Sequence, residues 1–163
     1  MRMMENTEQI SYEAMRAALK WNWESFPDWM DHLRALPKGV NIMMFLPLNP
    51  LMVYVMGADA AKSRRATSAK MTEMKRLSHE ALDAGAAGIA LSYLGAGNNH
   101  TDFDGTLMPT DVMFREDALM LAGALGERDE GVVKVLSALP GVRQDWEFAA
   151  ELSKAAANRP NLV

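Results

Sequence analysis

The 163-residue chain contains no cysteine and only three histidines. Without cysteine there is no disulfide framework, no thiolate nucleophile and no sulfur ligand for a metal. The histidines, His32, His79 and His100, form no H-x-H or H-x3-H pair and fall on different stretches, whereas a zinc site needs three or four converging ligands. An excess of positive charge is missing too. Lys and Arg number 17 against 21 Asp and Glu, a net charge of -4, so neither nucleic acid nor an anionic membrane surface is an expected partner. No apolar run approaches the roughly 20 residues of a membrane span, and the opening MRMMENTEQ is no secretory signal. The expectation is a soluble, cytoplasmic protein. What is present, 49% hydrophobic and 23% charged residues, is the composition of one globular domain with material for a core. The 14 methionines read as adaptable core filling.

Helix and strand signals alternate. Leading helices are expected within residues 1–38, one from Thr7 to about Leu19 and one in FPDWMDHLRAL, with Ser25 as N-cap, Pro27 in its first turn and Pro37 beyond its end. From residue 39 the chain reads as successive β/α units. VNIMMFLPL, from Val40, is a continuous apolar run ended by Pro47 and Pro50, which predicts a buried strand. LMVYVMG reads as a further strand-like or loop-packed run. Thr67 and Ser68 cap a helix whose inner face carries Met71, Met74, Leu77, Ala81 and Leu82, with Gly85 at its left-handed end. AGIALS is a second short strand, REDALMLAGALGE a helix, GVVKVLSAL a third strand, DWEFAAELSKAAA a helix, and RPNLV the start of a fourth strand.

That order predicts an α/β fold with a parallel sheet and right-handed crossovers. A full (β/α)8 barrel takes roughly 250 residues, so the chain fits either a partial TIM-type barrel of three to four units or a small doubly wound domain. An apolar strand breaking off at Val163 favours an internal segment of a larger protein. Helix-to-strand connections such as PKG, DAGAA and RDEG are short, while Pro47 to Ala66 and Tyr93 to Met113 are long and polar. Ligands bind at the C-terminal strand edge of parallel α/β folds, so the long loops mark the expected binding edge.

The loop after GIALS supplies the candidates. Ser92 and Tyr93 stand at the strand's C-terminal end, where a tyrosine hydroxyl either binds a carbonyl or carboxylate or packs against the next loop. His100 is a general acid/base or substrate contact, or a surface histidine. Asp102 and Asp104, two apart before Gly105, are substrate-binding candidates and also good Asx-turn chemistry. Asn98 and Asn99 read as turn formers, and Asp111 as a cap or brace for the returning loop. His32 and His79 lie in expected outer helices as structural or solvated groups. Lys134 reads as a buried-strand lysine that faces the barrel interior, is carboxylated to bridge metals, pairs with an acid or reaches the strand end.

Several segments together resemble the D-aminoacylase-like amidohydrolases, the N-acyl-D-amino-acid deacylases. They are LKWNWESFPDWMDHLRALPKGVNI, LMVYVMG, RRATSAKMTEMKRLSHEALDAGAAGIALS, DFDGTLMPTDVM and LAGALGERDEG, in the family's order and spacing over roughly Glu5 to Val163. The resemblance implies a (β/α)8 barrel in which zinc activates a water for attack on an amide carbonyl, and it places this segment at the third to fifth strands. It implies that the H-x-H pair, the later metal-binding histidine and the catalytic aspartate lie outside this chain, so no metal ligand is assigned here. Leu48 and Met52 stand where the family has a histidine and an arginine, and Leu136 lies near the position of a metal-binding histidine. The function implied is hydrolysis of the C–N bond of N-acyl-D-amino acids or related small amides. The chain would line the substrate pocket, be inactive alone, and need the missing barrel half or self-association. The second reading is a non-catalytic α/β binding or partner-completing module derived from a degenerate barrel.

Overall fold

The computed structural model describes residues 2–95, 98–137 and 143–163. Four strands, β1 (Leu46–Pro47), β2 (Gly88–Tyr93), β3 (Val132–Ser137) and β4 (Asn161–Leu162), form one sheet in sequential order, and every neighbouring pair is parallel. Among the described residues the helices are α1 (Glu5–Glu8), α2 (Tyr12–Ala18), α3 (Phe26–Ala35), α4 (Leu48–Met56), α5 (Ala58–Ser63), α6 (Ser68–Asp83), α7 (Arg115–Arg128) and α8 (Arg143–Ala155). The protein is therefore α/β with a four-stranded parallel sheet.

Sequential order has a geometric consequence. Each parallel crossover is right-handed, so strands laid down one after another in one direction place all their crossover helices on the same side of the sheet. The register confirms this in the side chains, because residues alternate between faces. Leu46, Ile89 and Val133 stand opposite one another across three strands and are 6%, 1% and 0% exposed. The adjacent row, Pro47, Ala90, Lys134 and Leu162, lies on the other face, and Pro47, Lys134 and Leu162 are exposed. Leu91 and Val135 continue the buried face, where Leu121 and Leu125 of α7, Leu152 of α8 and Met74 of α6 complete the core.

Local sequence explains the elements. Ser25 caps α3 through a reciprocal pair with Asp28, the Ser25 hydroxyl accepting from Asp28 N (3.2 Å) and the Asp28 carboxylate accepting from Ser25 N (3.0 Å). Those bonds hold the Asp28 carboxyl below its ordinary range. Thr67 caps α6, with Met71, Met74, Ala81 and Leu82 on its buried face, and Gly85 takes a left-handed φ of 96° just after it. Gly88 is required by close approach: a Cβ there would lie 1.9 Å from the carbonyl oxygen of Val132. Helices α6, α7 and α8 pack side by side. Lys75 and His79 of α6 meet Glu127 of α7, and Arg115 of α7 donates to Glu151 of α8 at 2.8 Å.

Several expectations are corrected. The apolar run from Val40 is no buried strand: only Leu46 and Pro47 pair, while Val40 and Met43 are 73% and 75% exposed. LMVYVMG is helix α4, not strand. Pro50 sits in its first turn, where a missing N–H breaks no intrahelical bond, and Leu48, Leu51, Met52 and Met56 bury one helical face. The stretch from Pro47 to Ala66 is accordingly two helices rather than a long loop. The expected helix from Thr7 to Leu19 is split: Gln9 adopts a left-handed φ of 54°, and Ser11 caps a new helix. Ala138 and Leu139, the expected end of the third strand, lie outside the described residues.

Candidate functional site

On the open face, at the C-terminal ends of the strands, lies a cavity of about 210 Å³ lined by Pro47, Ala90, Ser92, His100, Lys134 and Leu136 among others. Strand alternation puts Ala90 and Ser92 of β2 beside Lys134 and Leu136 of β3. After β2 the residues from 98 to 114 lie against the β2 end and bring His100 to the rim. Their short 3-10 turn, Pro109–Val112, places Thr110 and Asp111 beneath it.

Two polar networks build the rim. Thr110 N and Thr110 Oγ1 both donate to Asn49 Oδ1 at 2.9 Å, and the Ser92 and Thr110 hydroxyls are 3.0 Å apart. An amide oxygen only accepts, so the Thr110 hydroxyl donates to Asn49 and the Ser92 hydroxyl donates to Thr110. This ties β2, the 3-10 turn and the first turn of α4 together. In the second network Asp111, with a fully buried side chain, accepts from Leu94 N at 2.8 Å through Oδ1. Its Oδ2 lies 3.7 Å from Nδ1 of His100. Both of those atoms are buried and neither has a hydrogen-bond partner among the described residues. The His100 backbone is set by Asn98, whose side chain accepts from His100 N (2.7 Å) and donates to Gly95 O (2.5 Å).

The sequence candidates separate clearly. Ser92 and His100 come together at the cavity. Tyr93 does not join them: it follows Ile89 and Leu91 onto the helix-covered face, where its ring lies 4.4 Å from that of Phe148. Burial pushes its phenol up from the ordinary value of 10.0. Asp102 and Asp104 do not line the cavity. Asp102, 2% exposed, accepts from Lys62 Nζ at 2.5 Å and from Phe103 N at 2.7 Å. Asp104 accepts from the Thr106 hydroxyl (2.6 Å) and Thr106 N (3.0 Å), and these bonds, the hydroxyl first, hold its carboxyl below the usual range. Both aspartates thus lock a tight turn closed by Gly105 N donating to Asp102 O. His79 lies 3.2 Å from Glu127, and His32 packs beside Trp23 and Trp29. Lys134 is not buried as its strand pattern suggests, because the face it occupies is open; it makes no hydrogen bond or ion pair with any described residue. Missed in sequence were Asn49, Thr110 and the pairing of Asp111 with His100, which depend on how the loop returns.

A second cavity, about 220 Å³, lies between the α5–α6 turn and the start of α7 over Met52, Met71, Met74 and Met113. Its basic residues are largely engaged. Arg65 is held by Asp117 and stacks 5.0 Å from the Phe114 ring, and Lys62 is taken by Asp102.

Among the described residues no three His, Asp or Glu side chains group as metal ligands. His100 and Asp111 make a pair at most, short of the three or four that zinc takes, so these residues do not by themselves fit a zinc centre. No helix among the described residues is long and apolar enough to cross a membrane. Neither a family model, nor a curated protein, nor a solved structure matches the chain.

Proposed function

We propose that the chain forms one wall of a (β/α)8-type barrel that hydrolyses the C–N bond of small amides of the N-acyl-amino-acid class. The observation that supports this reading best is the one-sided sheet. Parallel sheets of doubly wound domains are covered on both faces and read as apolar throughout, whereas here Pro47, Lys134 and Leu162 of the row Pro47, Ala90, Lys134 and Leu162 are exposed among the described residues and the row ends in a polar rim. In a barrel that face is the interior, and its C-terminal rim is where substrate binds. The resemblance described above supplies the reaction class and the zinc, whose ligands it assigns elsewhere. In this reading Ser92 and His100 line the pocket, Asp102 and Asp104 shape its loop, and Tyr93 supports the wall from behind. The chain alone is inactive, works in the cytoplasm, and completes its barrel with further sequence or by self-association.

The test is to add N-acetyl-D-leucine and related N-acyl amino acids to the purified chain with zinc, following amide NMR shifts and release of free amino acid. Binding at the β2 and β3 C-terminal ends without release is expected. Robust zinc-dependent release by this chain alone would overturn the placement of the ligands, and no binding of any N-acyl amino acid would overturn the substrate class.

A further inference from the structure

Lys134 and His100 line one cavity, and Asp111, which accepts from Leu94 N through Oδ1, turns its other oxygen to His100. We propose that the cavity at the C-terminal ends of β2 and β3 is a binding site for a small carboxylate, with Lys134 supplying the counter-charge and His100, held at Nδ1 by Asp111 and protonated at Nε2 as the carboxylate binds, supplying a directed hydrogen bond.

Charge comes first. Lys134 stands on the open face without an ion-pair partner among the described residues, while other basic side chains, such as Lys62, Lys75, Arg76 and Arg128, are paired with Asp or Glu. An unpaired ammonium beside a concave surface is a ready anion anchor. Direction comes from the histidine. The Asp111 carboxylate is wholly buried, and its Oδ2 and His100 Nδ1, 3.7 Å apart, are both without a hydrogen-bond partner among the described residues. A buried acceptor without a partner is costly, and contacts of this kind are often long before a ligand arrives and tighten on binding. A proton on Nδ1 directed at Asp111 leaves Nε2 as the nitrogen presented away from it, and Nε2 becomes a donor to the ligand by taking up a second proton as the carboxylate binds. The Ser92 hydroxyl, its proton committed to Thr110, offers the cavity only lone pairs. Chemical class follows from the floor. Pro47, Ala90 and Leu136 give the cavity apolar lining beside its charged rim, which suits a carboxylate carried on a hydrocarbon frame better than a bare inorganic oxyanion.

The site does not depend on amide hydrolysis, and isobutyrate tests it because it carries a carboxylate and an apolar group but no amide. The full chain and its K134M and D111N variants, labelled with 15N-histidine and uniformly with 15N, are titrated with isobutyrate at constant ionic strength, with inorganic phosphate as comparison. Saturable shifts of the His100 ring and of the Ala90, Lys134 and Leu136 amides are expected, weakened about tenfold or more in K134M. In D111N the Leu94 N–H keeps its acceptor, but the new amide donates to Nδ1. The neutral His100 ring should therefore carry its proton on Nδ1 in the native chain and on Nε2 in D111N. Binding unchanged in K134M, phosphate bound as tightly as isobutyrate, or an Nε2–H tautomer in the native chain would each overturn the proposal. Isobutyrate binding with no response to N-acyl amino acids would leave this site standing and remove the amide reading; response to neutral N-acetyl-D-leucinamide but not to isobutyrate would do the reverse.

Discussion

The two faces of the sheet are made from the same three strands and obey opposite rules. On one, Leu46, Ile89, Val133, Leu91 and Val135 sit under a layer of helices with 6% exposure or less. On the other, one residue away along each strand, Lys134 and Leu136 are open and the loop after β2 lays His100 across the rim. A one-residue step in β register exchanges core for surface, so the division of labour between holding the fold and meeting a ligand is set by alternation alone. The covered face is apolar at its centre, with Tyr93 and Asn161 at its margins, and the open face carries Ser92 and the charge of Lys134.

Substitutions sharpen the contrast in order of size. Gly88 belongs to the open side by alternation, yet G88A should cause the largest loss, about 4 kcal/mol or more, because its Cβ would meet the Val132 backbone at 1.9 Å. Urea denaturation of the variant checks this, and native-like stability would mean that β2 and β3 approach less closely. Next come neighbours on β3. V135D places a charge under the helices and should cost on the order of 4 kcal/mol. L136D places the same charge on the open face and should stay within about 0.5 kcal/mol. Equal losses from the two would abolish the distinction between faces. The smallest effect concerns pH. The Glu127 carboxyl is held below its ordinary 4.5 by the hydrogen bond from Lys75, helped by His79, and Glu151 is held down by Arg115. Carboxyls depressed in the folded state stabilise it above the unfolded value and lose that contribution as pH falls through the folded one. Thermal stability should therefore decline modestly as pH drops below about 4.5, with a shallower decline in K75M.

The sequence makes the covered face legible and the site only partly so. Ile89, Leu91, Val133 and Val135 announce strands by composition, and Met71, Met74 and Leu82 announce α6 by spacing, because burial writes itself into periodicity. α4 was hidden by Pro50, which reads as a breaker yet sits in the one helical turn that needs no N–H. The run from Val40 to Phe45 is apolar without being buried, and only tertiary structure decides that. His100 was legible as a loop candidate, but its link to Asp111 was not, since the ten intervening residues must first fold into a tight turn pinned by Lys62. Tyr93 and Ser92 are adjacent in sequence and opposite in fate for the same reason that Val135 and Leu136 are: successive strand residues point to different faces.

The most direct test is to map which amides respond when the 15N-labelled chain is titrated with an N-acyl-D-amino acid. Shifts clustered at Ala90, Ser92, His100, Lys134 and Leu136, with Phe148 and the methionine-lined cavity silent, are the expected result. Shifts confined to that methionine-lined cavity or to the helix-covered face would contradict the assignment of the open face as the functional one.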